Sequence, residues 1–191
     1  ESSTDGIRAH ALPGLAGPSF FSYRPASCDV DAAPLVFVHG YNRRAQEQLR
    51  LLCPLADRLG RALIAPYFPK ALHPRYQRLG RGRDGRRADG FFEDCLAEAA
   101  RSLGLPSLPI ILIGFSGGAQ FAHRYAMLRP RRVAQLIAVA AGWYTFPDAD
   151  VAYPRGLHVQ RRLRRADLSP EAFLGVPTAV IVGEEDCGDI T

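Results

Sequence analysis

Short apolar segments alternate with amphipathic segments along most of the chain. The apolar segments stop at glycine, proline or polar residues, which is typical of strands buried on both faces of a parallel sheet. The predicted strands are 35–38, 62–66, 110–113, 136–141 and 178–182. The amphipathic segments repeat their apolar residues every three or four positions, which predicts helices. The predicted helices are 43–59, 92–103 and 117 to about 128.

The order of these elements predicts an α/β fold. Strands separated by helices of ten or more residues require right-handed crossovers, so the sheet is mostly parallel and has helices on both faces. At 191 residues the chain has the length of one domain, covering 1–191. Pro54 is expected to kink or divide the first helix, and Gly104 to end the second. A long irregular segment, about 143–175, is expected to act as a cap.

The net charge of +5 comes from two arginine-rich stretches, 75–87 and 155–165. Without them the chain is mildly acidic, which argues against a nucleic-acid partner. Lys70 is the only lysine, and such a strong preference for arginine is typical of bacteria with GC-rich genomes. The chain has no apolar run long enough to span a membrane. Its composition leaves the compartment open, with the cytoplasm slightly favoured, and does not indicate an oligomeric state.

The pentapeptide Gly114–Gly118, of the form G-x-S-x-G, lies between a predicted apolar strand and a predicted helix. In this context the motif is typical of a nucleophile elbow, a sharp turn that holds a serine hydroxyl clear of the sheet. Glycines two residues before and two residues after the serine relieve crowding in the turn. The positive end of the following helix favours negative charge beside the serine. Ser116 is therefore the candidate nucleophile.

A second polar turn, His39-Gly40-Tyr41-Asn42, follows the first long apolar strand. Ligands of parallel sheets bind at the carboxyl ends of the strands. The backbone N–H groups of Tyr41 and Gly117 are therefore predicted to form an oxyanion hole, and His39 is expected to brace the loop. The four cysteines have no metal-ligand spacing, so we predict neither a metal nor an organic cofactor.

These two turns, together with the segment 120–126, resemble the α/β-hydrolase superfamily. The resemblance runs from about Leu35 to the end of the chain. Within the superfamily it points to bacterial serine esterases of the polyhydroxyalkanoate-depolymerase and feruloyl-esterase type. It implies a Ser116 nucleophile, an oxyanion hole at Tyr41 and Gly117, and a catalytic acid after a late strand. Asp186 is the candidate acid, with Glu184 and Glu185 as alternatives.

The catalytic histidine of this fold follows the acid in the chain, and no histidine follows Asp186. We therefore expect the chain to be part of a longer hydrolase, lacking the last strand and helix of the fold. The 191 residues alone would then turn over little substrate. His123 is expected to pack or to face solvent. A less favoured arrangement uses His158 as a displaced base, paired with Asp148 or Asp150.

Aromatic residues indicate where a substrate would bind. Trp143 and Tyr144 follow the fourth strand and, with Tyr41 and Phe115, are predicted to line an apolar acyl pocket. The arginines of 155–165 are expected to be a solvated face, although they could meet an anionic substrate. The predicted function is hydrolysis of a small carboxylic ester or acyl compound. The alternative is a binding protein with a hydrolase fold and no catalysis.

Overall fold

Seven strands and four α-helices form the described part of the chain. The structure is a computed structural model that describes residues 6–105, 109–158 and 168–185. The strands are β1 (Ile7–His10), β2 (Phe20–Tyr23), β3 (Leu35–Val38), β4 (Leu63–Pro66), β5 (Ile110–Phe115), β6 (Val133–Val139) and β7 (Thr178–Ile181). The helices are α1 (Ala45–Leu59), α2 (Ala88–Leu103), α3 (Gly117–Leu128) and α4 (Pro170–Phe173). Single 3₁₀ turns lie at Tyr76–Arg78 and Pro130–Arg132.

All seven described strands belong to one sheet, in the order β1-β2-β4-β3-β5-β6-β7. The five strands from β4 to β7 are parallel, and β1 and β2 add an antiparallel edge. This mostly parallel sheet confirms the predicted α/β class. Because the strands are parallel, the carboxyl ends of β3, β5, β6 and β7 meet at one edge of the sheet.

Alternating side chains of the strands form two cores, one on each face of the sheet. Leu35 and Phe37 of β3 pack toward α1, in a cluster with Leu49. Val36 and Val38 point to the other face and share a larger cluster with α2 and α3, whose buried residues include Phe121. This period of two matches the pleat of a strand. The result is the predicted three-layer arrangement of helices on both faces.

Two sequence predictions need correction. The fourth predicted strand was placed at 136–141, whereas β6 covers Val133–Val139 and Ala140 has a φ of 49°. Its N–H still donates to the Ile181 carbonyl (2.8 Å). Pro54 does not divide its helix, because α1 is continuous from Ala45 to Leu59. Pro54 and Arg50 are both exposed, so water can solvate the Arg50 carbonyl that has no amide partner.

The segment after β6, which was predicted to be irregular, contains little regular structure. Residues 142–158 are irregular apart from a turn at 153–155 and an isolated bridge between Ala152 and His158, and α4 follows at Pro170–Phe173. Residues 159–167, which include most of the second arginine-rich stretch, lie outside the described residues. The role of this segment as a cap stays a prediction.

Candidate active site

Ser116 lies in a sharp turn between β5 and α3. Its backbone angles are φ 53° and ψ −116°, which only a small fraction of residues other than glycine adopt and which cost about 1–3 kcal/mol of strain. The Ser116 N–H donates to the Val139 carbonyl of β6 (2.8 Å), and its own carbonyl accepts the N–H groups of Ala119 and Gln120. These bonds hold the strained residue at the first turn of α3.

The two flanking glycines are required by close backbone approach. A Cβ on Gly118 would lie 2.0 Å from the Val38 carbonyl oxygen and 2.6 Å from that of His39. A Cβ on Gly114 would lie 2.4 Å from the Gly118 carbonyl oxygen. Distances below about 3 Å are not possible without moving backbone. The glycine pattern therefore packs α3 directly against the end of β3.

This packing brings the Tyr41 backbone amide beside the elbow. The Tyr41 nitrogen lies 3.4 Å from the position that a Cβ on Gly117 would occupy. Neither the Tyr41 N–H nor the Gly117 N–H donates to another residue within 6–105, 109–158 or 168–185. Two adjacent N–H donors without an acceptor, next to a serine hydroxyl, can bind an oxyanion.

His39 braces this turn and is not placed as a base. Its buried ring accepts the Phe68 N–H at Nε2 (3.1 Å), so Nδ1 carries the proton and donates to the Gly40 carbonyl (2.8 Å). The Tyr76 hydroxyl donates to the His39 carbonyl (2.7 Å). Burial lowers the pKa of His39 to about 4, because the charged imidazolium loses its hydration there.

His123 and Arg124 of α3 hold the segment that follows β6. The His123 Nε2 accepts the Thr145 N–H (2.9 Å), and its Nδ1 donates to the Ala119 carbonyl (3.0 Å). Arg124 is fully buried and its Nε donates to the Thr145 hydroxyl (2.8 Å). That hydroxyl donates in turn to the Pro154 carbonyl (2.6 Å). We call these contacts the Thr145 clamp.

The guanidinium of Arg124 is buried among neutral acceptors. Besides Thr145, it donates to the carbonyls of Gln77, Gln120 and Pro154. Burial lowers the pKa of Arg124 to about 10 and that of His123 to about 3. At neutral pH Arg124 is therefore still cationic and His123 is neutral.

None of the five histidines forms a hydrogen bond with Ser116 in the described structure. His10 bonds the Ser22 hydroxyl (2.8 Å), and His73 is buried against the rings of Phe68 and Phe91. His39 and His123 have both ring nitrogens engaged. His158 is the one histidine with an exposed ring, and its backbone pairs with Val151 and Tyr153.

The acidic turn after β7 lies at the same sheet edge as the elbow. Glu184 and Glu185 are exposed there. Asp186, the first choice for the catalytic acid, lies outside the described residues. The assignment of the acid stays a prediction. Within those described ranges, no group of three or more histidine, cysteine, aspartate and glutamate side chains is placed to hold a metal ion.

Trp143 and Tyr144 line an open cavity of about 370 Å³ together with Phe146, Asp148, Val151 and Arg155. The structure thus brings together two of the aromatic residues predicted to form the acyl pocket. Phe115 is not among the residues that line this cavity, and Tyr41 is not either. Phe115 instead packs beside the turn at Gly40, where a Cβ would come within 3.2 Å of its ring.

Three residues that support the site were not predicted. Arg43 donates to the carbonyls of Tyr41 (3.0 Å) and Phe68 (2.9 Å) and so links the turn after β3 to the loop after β4. Tyr76 and Arg124 make the contacts described above. All three bind main-chain carbonyls or residues distant in sequence. Such contacts produce no motif that can be recognised in the sequence. The one signal is the position of Arg124 within the mostly apolar residues 117–128.

The buried histidines predict a loss of stability on acidification. The pKa values of His39 and His123 are lower in the folded chain than in the unfolded chain, where they are about 6.5. Below that pH the unfolded state binds more protons, so the free energy of unfolding falls by up to about 1.4 kcal/mol per pH unit for each histidine. Urea unfolding between about pH 7 and pH 5 measures this slope.

A matched pair of variants separates the two contributions. His123→Gln removes one titrating group and should reduce the slope by up to about 1.4 kcal/mol per pH unit. His158→Gln makes the same substitution at an exposed histidine and controls for the change of residue type. An equal slope in wild type and His123→Gln would contradict the neutral, buried state of His123.

The architecture is that of known hydrolase structures. Poly(aspartic acid) hydrolase-1 from Sphingomonas sp. KT-1 superposes with a TM-score of 0.76 at 24% identity, over 96% of this chain and 73% of that one. A poly(3-hydroxybutyrate) depolymerase from Bordetella parapertussis superposes with a TM-score of 0.71 at 23% identity, over 88% of this chain and 60% of that one. A fluorophosphonate-binding serine hydrolase from Staphylococcus aureus superposes with a TM-score of 0.62 at 13% identity, over 93% of this chain and 78% of that one.

The chain therefore has the α/β-hydrolase fold, as the resemblance implied. At these identities the likeness establishes the fold and not the reaction. No protein-family model matches the chain, and no curated protein sequence matches it significantly. Among the described helices, none is both long enough and apolar enough to cross a membrane.

Proposed function

We propose that the protein is a serine hydrolase that cleaves carboxylic esters through a Ser116 acyl-enzyme. The observation that carries this proposal is the position of Ser116, strained at the start of α3 beside two free N–H donors. The hydrolases among the similar structures support the general class. The narrower assignment to esters rests on the sequence resemblance.

In the proposed reaction the Ser116 oxygen attacks the ester carbonyl carbon. The carbonyl oxygen gains negative charge and accepts hydrogen bonds from the N–H groups of Tyr41 and Gly117. Each such donor lowers the barrier by about 2.7–4 kcal/mol. The alcohol then leaves, and water cleaves the acyl-enzyme to release the acid and regenerate the serine.

The reaction also needs a base that accepts the Ser116 proton. His39 and His123 are excluded by their bonded ring nitrogens. In hydrolases of this fold the histidine follows the catalytic acid, for which Asp186 is the proposed residue and Glu184 and Glu185 the alternatives. His158 is the exposed histidine among those described, and it is the second choice.

The lack of a hydrogen bond between Ser116 and any described histidine favours one other function. Because no described histidine bonds Ser116, the chain could bind acyl compounds without cleaving them. A fluorophosphonate probe separates the two functions, since it phosphonylates only an activated serine. For a serine hydrolase we expect one added probe group per chain by intact mass, located on Ser116 by peptide mapping.

The control for this experiment is Ser116→Ala, which should remain unmodified. Unmodified wild-type protein that still binds acyl compounds would support the binding protein instead. Modification at another residue in both proteins would contradict the assignment of Ser116.

A further inference from the structure

The cavity beside Trp143 has the size of a small-molecule site. Its volume of about 370 Å³ falls in the range of about 300–1,000 Å³ found for ligand pockets. Three aromatic rings and Val151 supply most of its lining, and the side chain of Phe146 is 63% exposed. An apolar ligand that covers these side chains would remove them from water, which favours binding.

The Thr145 clamp holds the wall of this cavity in place. Thr145 separates Tyr144 from Phe146, and both its N–H and its hydroxyl are bonded to α3. The Phe146 N–H donates to the Arg155 carbonyl (2.8 Å), which links the two ends of the lining segment. The wall is therefore preorganised, which reduces the entropy lost on binding.

One cationic group at the cavity, Arg155, is placed to pair with an anion. The exposed Arg155 guanidinium has no hydrogen-bond or ion-pair partner in the described part of the chain. The Arg78 guanidinium, which is not among the lining groups, lies 5.7 Å from the centre of the Trp143 ring. The one acidic lining residue, Asp148, already accepts the N–H groups of Asp150 (2.8 Å) and Val151 (3.3 Å) through Oδ1.

We propose that this cavity binds an apolar acid, a ligand with an aryl or alkyl body and a carboxylate that pairs with Arg155. This proposal narrows the substrate class of the proposed function. A role of the cavity in catalysis rests on that proposed function. If Ser116 cleaves esters as proposed, the cavity would favour esters that carry a free carboxylate. Binding of the free acid does not require Ser116 chemistry and can be measured by itself.

Trp143 provides the measurement, because it is the only tryptophan in the chain. We would titrate Ser116→Ala protein with 4-phenylbutyrate and with the neutral 4-phenylbutan-1-ol, and follow tryptophan fluorescence. Both ligands should change the emission. The carboxylate should bind roughly fivefold more tightly, as expected for an exposed ion pair worth about 1 kcal/mol. Added salt should reduce this preference.

Two variants test the role of Arg155. Arg155→Gln should bring the two dissociation constants together, whereas Arg58→Gln, which changes an exposed arginine on α1, should keep the difference. No fluorescence change with either ligand would overturn the site. Equal affinities in wild type, or a preference that survives in Arg155→Gln, would overturn the role of the arginine. These outcomes are independent of Ser116 activity, so they differ from a failure of the proposed function.

Discussion

In the whole protein, replacement of Ser116 by alanine should lower kcat/KM for p-nitrophenyl acetate by about 10⁴-fold or more. In the proposed mechanism the variant loses the oxygen that forms the acyl-enzyme, while the N–H donors of Tyr41 and Gly117 stay in place. Residual hydrolysis would come from the oxyanion hole and binding alone. Initial rates at several substrate concentrations measure the effect, and the burst of nitrophenol that marks an acyl-enzyme should disappear.

A second serine provides the control. Ser102 is exposed on α2, where its hydroxyl lies 3.5 Å from the Ala99 carbonyl oxygen. Ser102→Ala should keep kcat/KM within about twofold of wild type, because a surface change of this kind alters stability by at most about 0.5 kcal/mol. A loss of less than tenfold in Ser116→Ala would remove Ser116 from the mechanism.

The central part of the fold could be predicted because its sequence signals are local and redundant. β3 and β5 are continuous apolar segments, and the predicted boundaries of both strands lie within two residues of the observed ones. The second helix ends at Gly104, which adopts the left-handed conformation with a φ of 65°. In each case the run of side chains and a nearby glycine indicate the same element and the same boundary, so the prediction does not depend on one weak signal.

The antiparallel edge could not be predicted in this way. β1 and β2 have four residues each, and only β2 is buried along most of its length. Their pairing depends on contacts between distant parts of the chain, such as Phe21 with Ala65 of β4. A four-residue strand with mixed exposure has no periodicity that distinguishes it from a loop.

The candidate site also contains residues with local sequence signals and residues held by contacts distant in sequence. Ser116, Tyr41 and Gly117 were proposed from the sequence because they follow strands that end at one edge of the sheet, and their catalytic roles stay predictions. The supports of the site were missed, because the buried cation of Arg124 is bonded to residues up to 47 positions away. Trp143 and Tyr144 line one cavity, whereas the Phe115 ring packs beside Gly40 and does not line it.

Replacement of Gly118 by alanine should destabilise the protein by about 3 kcal/mol or more. The added Cβ would lie 2.0 Å from the Val38 carbonyl oxygen and 2.6 Å from the His39 carbonyl oxygen. Neither oxygen can move freely. The Val38 carbonyl ends β3, and the His39 carbonyl is bonded to Tyr76. The helix α3 must therefore shift away from the sheet, which also separates the Gly117 N–H from that of Tyr41.

Gly90 offers a matched control for this substitution. It lies in α2, is exposed, and has no atom within 4 Å of the position that a Cβ would occupy. Gly90→Ala should raise the free energy of unfolding by about 0.5–1 kcal/mol, because alanine favours the helix. Urea unfolding of both variants measures the two opposite changes. If Gly118→Ala unfolds at the same urea concentration as wild type, then α3 does not pack against the end of β3 as closely as the distances require, and the elbow geometry proposed for catalysis fails with it.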